Sequence, residues 1–197
     1  MEAATASTRE RLLTAARELI EEGGYGAASV IAIAARAGVA AGTLYRHFAS
    51  KEELFVEVFR FVCEREERAM RAAAADMPAG ASAAQRLETV LAGFARRALR
   101  NPRLAWALIA EPVDPRVDAE RLAYRERYAA LIAEGLRAGI AAGELPPQNA
   151  ELTAAALVGG CGEALVGPLS PLAGAGPDAT EIVGALTTFV RRAVGAG

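Results

Sequence analysis

At three well-separated places a serine stands three residues ahead of a glutamate or glutamine, with a helically spaced apolar run beyond it. Ser7-Thr8-Arg9-Glu10 and Ser50-Lys51-Glu52-Glu53 have the capping-box form, and Ser82 with Gln85 repeats it. In a capping box the serine hydroxyl takes an orphan N–H of the first turn, and the acid or amide returns to the cap backbone. Glycines and prolines mark the stops. The first helix carries Leu12, Leu13, Ala16, Leu19 and Ile20 and ends at Gly23-Gly24. Ser29 caps a short second helix with Val30, Ile33, Ala34 and Ala37 on one face, ended by Gly38. A third runs from about Ala41 to Phe48, and a fourth from Ser50 to about Ala75. After the break at Asp76-Met77-Pro78-Ala79-Gly80, the fifth presents Leu87, Val90, Leu91, Phe94 and Ala98. Asn101-Pro102 restarts the chain for a segment ending near Glu111-Pro112, proline being suited to a first helical turn. Asp114-Pro115 opens a long helix carrying Leu122, Tyr128, Leu131, Ile132, Leu136 and Ile140, and Gly143 and Pro146-Pro147 close it. A helix from about Gln148 to Val166, a Gly/Pro loop at 167–177 and a last helix capped by Asp178 and Glu181 complete nine. No strand pattern competes. Alanine, the strongest helix former and a poor strand former, is roughly a quarter of the chain. The expected fold is all-α.

Several function classes are disfavoured. The formal charge is −2, from 22 basic and 24 acidic residues, which argues against a strongly basic nucleic-acid binder but leaves room for a local basic patch. No uninterrupted apolar run reaches the length of a membrane span, and Met1-Glu2-Ala3-Ala4-Thr5 does not have a signal-peptide pattern. Cys63 and Cys161 stand far apart without a CxxC, and His47 is the lone histidine, so neither a metal site nor a disulfide framework is expected. No phosphate loop, paired-carboxylate motif or nucleophile elbow is present. No catalytic residue and no cofactor is therefore expected, and a reducing cytoplasm is the expected location.

Charge is unevenly placed. Residues 23–51 contain no Asp or Glu but include Arg36, Arg46 and Lys51, a local +3 between Glu21-Glu22 and Glu52-Glu53. The same window holds two short helices joined by Ala37-Gly38-Val39, the helix-turn-helix layout in which the second helix enters the major groove.

Ile33-Ala34-Ala35-Arg36-Ala37-Gly38-Val39, Gly42-Thr43-Leu44-Tyr45-Arg46-His47-Phe48 and Ser50-Lys51-Glu52-Glu53-Leu54 together resemble the TetR family of bacterial transcriptional regulators. The likeness spans about residues 7 to 62; beyond it only helix number and length agree. It implies a homodimeric repressor, with a three-helix DNA-binding head at 1–51 (motif about 29–48), the fourth helix as a linker at 50–75, and a ligand-sensing and dimerisation domain at 76–197. The implied partners are a palindromic double-stranded operator and a second copy of the chain, with no membrane. On these positions Ser29 is an N-cap that can also hold a phosphate at a helix N-terminus. Gly42 admits close approach of DNA, or else only tight packing. Thr43 reaches a thymine methyl or a phosphate. Tyr45 and His47 are expected on phosphates, His47 alternatively in an interhelical hydrogen bond. Arg46 reads guanine or clamps a phosphate, and Lys51 reaches the DNA backbone. Leu44, Phe48, Ile33 and Leu54 are assigned to the core of the head. The chain departs from the family at Ser29-Val30-Ile31-Ala32 and Val39-Ala40-Ala41, where polar side chains are usual. Few direct base contacts, a modest salt slope and reliance on DNA shape follow.

In the C-terminal region, Gly159, Gly160 and Gly162 interrupt one helix at a cost of about 1 kcal/mol each relative to Ala. Small residues let another helix come close, and in the family the last two helices of each subunit form the dimer interface. Gly159 and Gly162, facing Ile182, Leu186, Phe189 and Val190, are expected there, with an intrachain core as the competing use. Ligand-contact candidates by family position are Phe61, Phe94, Trp106, Tyr124, Tyr128 and Cys161. Trp106 leads for its volume and its one donor, and Glu163 is a conceivable acid for a cationic ligand. The resemblance implies a small hydrophobic or aromatic ligand. A packed surrounding at Trp106 would favour a regulator without a sensor; a helical scaffold is the remaining alternative.

Overall fold

A computed structural model describes residues 6–174 and 176–196. The pentapeptide Met1 to Thr5 and residue 175 of the Gly/Pro loop lie outside the described residues. The described helices are α1 Thr8–Gly23, α2 Val30–Arg36, α3 Ala41–His47, α4 Lys51–Ala75, α5 Ala83–Arg100, α6 Pro102–Ile109, α7 Pro115–Ala141, α8 Ala150–Leu169 and α9 Ala179–Ala193, with a 3-10 turn at Tyr25–Ala27. The fold is all-α, as the caps and spacing predict.

Local chemistry sets most boundaries. Ser7 and Ser82 form complete capping boxes with Glu10 and Gln85. Ser50 makes only one half. Its hydroxyl accepts the Glu53 N–H at 3.1 Å, while the Glu53 carboxylate takes the Ala49 N–H at 2.6 Å. Gly24 and Gly38 close α1 and α2 with φ of 76° and 67°, the left-handed region that a Cβ disfavours. α8 runs three residues past its expected end at 166, with Pro168 in its last turn, because Leu165 and Leu169 are buried and packing carries the helix onward.

Two apolar cores result. One joins Leu12, Ile20, Leu44, Phe48, Leu54 and Phe55 to α6 and the first half of α7, through Leu104, Ala107, Val117 and Tyr124. The head is therefore continuous with the first half of α4 and with α6. The other core lies among α5, α7, α8 and α9. α7 changes partner along its length, so a single stripe drawn over it slips: Leu122 is 60% exposed, whereas Val117 and Tyr124 are buried. By length and composition α8 is long and apolar enough to cross a membrane, with mean hydropathy 1.4. A search for an uninterrupted apolar run passes over it because Glu151, Glu163 and Pro168 lie within it. Here it is a packed helix, with Ala154, Leu157 and Leu165 fully buried.

Candidate nucleic-acid interface and ligand cavity

The head presents α3 outward. Leu44 turns inward with Phe48, Ile33 and Leu54, all nearly inaccessible, while Tyr45, Arg46 and His47 are exposed and Thr43 is half-buried. Among the described residues none of the Tyr45, Arg46 and His47 side chains has a hydrogen-bond or ion-pair partner, so the interhelical alternative for His47 is not used. A Cβ added to Gly42 would meet nothing within 4 Å, so intrachain packing does not demand glycine there. The Ser29 hydroxyl accepts the Ala32 N–H at 3.1 Å, its capping role.

Two cations of the basic window are engaged elsewhere. Arg36 makes a bidentate pair with Glu22 at 2.7 and 2.8 Å and lies 3.6 Å from Glu18. That guanidinium holds the Glu22 carboxyl below its ordinary range. Lys51, expected to point to DNA, instead sits 3.9 Å from the centre of the Tyr25 ring and donates to the Tyr25 carbonyl at 3.3 Å. The desolvation of that half-buried ammonium lowers its pKa. Arg46 is thus the window's cation left facing outward. Arg11, which no motif marked, braces the turn from α1 by donating to the Ala37 carbonyl at 3.0 Å and the Gly38 carbonyl at 3.2 Å.

A cavity of about 610 Å³ lies between α4, α5, α6, α7 and α8, with α1 at one side. Its apolar wall includes Phe59, Val62, Phe94, Leu104, Leu108 and Val158. Three of the expected ligand contacts, Phe94, Tyr124 and Tyr128, line it. Tyr128 donates to the Cys63 carbonyl at 3.1 Å, and Tyr124 to that of Arg60 at 3.4 Å, which ties α7 to α4. Trp106 does not line the cavity. It packs against the C-terminal core, the surrounding expected of a regulator without a sensor, but Leu104, Ala105, Leu108 and Ile109 of the same helix face an open space. Phe61 is 46% exposed, with the Arg65 guanidinium 5.9 Å above its ring. Cys161 is buried in the core, and Glu163 is exposed to solvent rather than turned to the cavity.

The cavity also has polar members that sequence reasoning missed. Arg97 pairs bidentately with Glu66 at 2.8 and 2.6 Å, and Cys63, Arg100 and Arg121 also line the space. Arg97 and Arg100 share a face three residues apart in the last turn of α5, a signal that spacing carried. Burial pushes the Cys63 thiol up to about 12 and Cys161 to about 11, so neither is a thiolate at neutral pH.

The dimer candidates divide. Ile182, Leu186 and Val190 are buried in the core of their own chain, and Gly162 borders the cavity. A Cβ on Gly160 would come within 3.1 Å of the Phe189 ring, which accounts for that glycine inside the chain. Gly159 has no such neighbour. It lies on an exposed face of α8 with Leu152, Ala155 and Ala156, and Ala185, Thr188 and Phe189 of α9 are exposed as well.

The sequence model of the family described as "Bacterial regulatory proteins, tetR family" matches residues 12–58, and that of the "Tetracyclin repressor-like, C-terminal domain" matches residues 80–165. Together they take in more than half of the chain. The HTH-type transcriptional repressor KstR of Mycolicibacterium smegmatis is 40% identical over 101 residues, which cover 51% of this chain and 48% of that protein. The chain thus aligns with about half the length of these curated relatives. A TetR/AcrR-family transcriptional regulator from Thermobifida fusca superposes with a TM-score of 0.70 at 26% identity, covering 92% of this chain and 95% of that one. FadR from Bacillus subtilis, solved in complex with stearoyl-CoA, gives a TM-score of 0.73 at 20% identity, covering 95% and 98%.

Proposed function

Since the chain belongs to the TetR family of bacterial regulatory proteins, we propose that it is a homodimeric cytoplasmic repressor that leaves a palindromic operator when a small hydrophobic molecule enters the cavity. The observation that carries this reading is the double engagement of α6. Leu104 and Leu108 line the cavity, while Leu104 and Ala107 belong to the core of the head. Just beyond α6, the Glu111 carboxylate accepts the Tyr25 N–H at 3.2 Å, in the turn that leads into α2. Arg121, also on the cavity wall, fixes that end of α6 by donating to the Leu108 carbonyl at 2.8 Å and the Ala107 carbonyl at 2.9 Å. A molecule that displaces α6 therefore acts on the head through direct contacts, and its differential affinity for two α6 positions shifts the population between DNA-competent and incompetent forms.

The outward side chains of α3 supply the DNA contacts, with Arg46 as the principal cation, Tyr45, His47 and Thr43 on phosphates or a thymine methyl, and Gly42 admitting the groove wall. Ser29 adds a phosphate contact at the start of α2, and Lys51 acts through Tyr25 rather than on DNA. The exposed α8/α9 face around Gly159 and Phe189 pairs with its copy about a two-fold axis, which sets two heads roughly 34 Å apart on one side of the duplex.

The test is a gel-shift at low salt on palindromic promoter fragments, run with folded dimer. A shifted band that is lost on adding an effector supports the reading. No shift on any fragment sinks it.

A further inference from the structure

The charges on the cavity wall are all of one kind once internal pairs are set aside. Six arginines and two glutamates line it, in a chain with more acids than bases. Glu66 is held by Arg97 at 2.6 Å and Glu21 is paired with Arg17, so neither carboxylate is free for a ligand cation. Arg121 is bound to the α6 carbonyls and lies 2.6 Å from Asp118. Arg65, Arg100 and Arg125 have no carboxylate within ion-pair distance among the described residues, and all three are exposed. They come from three helices, α4, α5 and α7. Long arginine stems can run along an apolar wall while their heads stay in water, as the Arg65 guanidinium does beside the exposed Phe61 ring. Glu163, the acid that sequence reasoning offered to a cation, stands outside the cavity.

From this inventory we infer that the cavity selects an amphipathic anion, an apolar body with a carboxylate or phosphate head, and that Arg65, Arg100 and Arg125 hold the head at the mouth. The inference rests on the ligand-responsive reading above and adds the chemical class. The apolar wall of Phe59, Val62, Leu104 and Val158 receives the body, and a volume of about 610 Å³ suits one small molecule. Guanidinium donates in a planar fork that matches a carboxylate or phosphate, so the three arginines discriminate by charge and by geometry. A neutral molecule of the same shape fills the same wall and leaves the donors in water. A cationic one meets no free acceptor and three like charges.

Binding to the purified dimer, measured by calorimetry without DNA, tests this. The probes are dodecanoate and 2-naphthoate, each with its methyl ester, together with dodecanoyl-CoA and free CoA. At least one acid or the thioester is expected to bind about tenfold or more tightly than the matched ester. A preference shown by the free acid identifies a carboxylate head, and one shown by the thioester alone identifies a phosphate-bearing head. The triple variant Arg65→Gln, Arg100→Gln and Arg125→Gln, all at exposed positions, is expected to fold and to lose that preference while its ester affinity holds within about twofold. Esters binding as tightly as acids, no binding by any acid or thioester, or a variant that keeps the preference would each overturn the inference. Because DNA is absent, failure here leaves the operator reading untouched, and failure to bind DNA leaves the anion preference standing.

Discussion

Arg46 sits on the exposed side of a seven-residue helix with no partner among the described residues, while Arg36 and Lys51 are engaged within the head. Arg46→Ala is expected to weaken operator binding by about 1–3 kcal/mol, measured by fluorescence anisotropy, with little change in thermal midpoint. If affinity is unchanged, Arg46 does not touch DNA. Gly42 permits a sharper separation of fold from function. A Cβ there meets open space, so Gly42→Ala should raise stability by about 0.5–1 kcal/mol through helix propensity. Close approach of DNA predicts that the same variant binds its operator more weakly. Unaltered affinity would show that the backbone stays clear of the groove. Cys63 and Cys161 are buried with thiols raised to about 12 and 11, so native protein should resist thiol reagents at pH 8 and react on unfolding.

α6 touches both the cavity and the core of the head, and its facing was the least readable of the helices. Its sequence, Leu104-Ala105-Trp106-Ala107-Leu108-Ile109, is apolar all round, so periodicity cannot say which side faces the space. Volume pointed to Trp106, but neighbouring helices decide facing, and they turn Trp106 to the core. Caps were legible for the opposite reason: Ser7, Ser29, Ser82 and Asp178 act on N–H groups within three residues of themselves. Arg97–Glu66 spans 31 residues and was invisible from either side. Glu111→Ala removes the hydrogen bond to Tyr25 and should leave ligand affinity within about twofold while shrinking the ligand-induced loss of operator binding. A full response in that variant would place the coupling elsewhere. On α8, Gly159→Glu puts a charge on the face proposed for pairing. Sedimentation should then show monomer with helical content retained, and an intact dimer would remove that face from the interface.

A net charge of −2 first argued against a nucleic-acid partner. The +3 of residues 23–51 weakens that objection, and the pairing of Arg36 with Glu22 and Glu18 limits how far. Long-range attraction should be weak, so a dimer must gain its affinity by placing two heads together, with a shallow salt slope. Four carboxyls should also make the fold sensitive to acid. Glu10, Glu22, Asp114 and Glu151 are all lowered: Glu10 chiefly by the Ser7 N–H, Glu22 and Asp114 by Arg36 and Arg116, and Glu151 by backbone with help from Arg137. A lowered carboxyl binds fewer protons in the folded than in the unfolded state. Its stabilisation is present above the ordinary carboxylate range and is lost as pH falls through the lowered values. The thermal midpoint should therefore drop as pH falls below the ordinary carboxylate range, and a flat profile there would contradict these pairings. The central claim, a two-headed DNA-binding regulator, is tested most directly by selecting bound sequences from random double-stranded DNA with the purified dimer. The expected result is an enriched palindrome whose half-sites are centred about one helical turn apart, bound by the dimer. No enrichment, or a single half-site bound by a monomer, would contradict it.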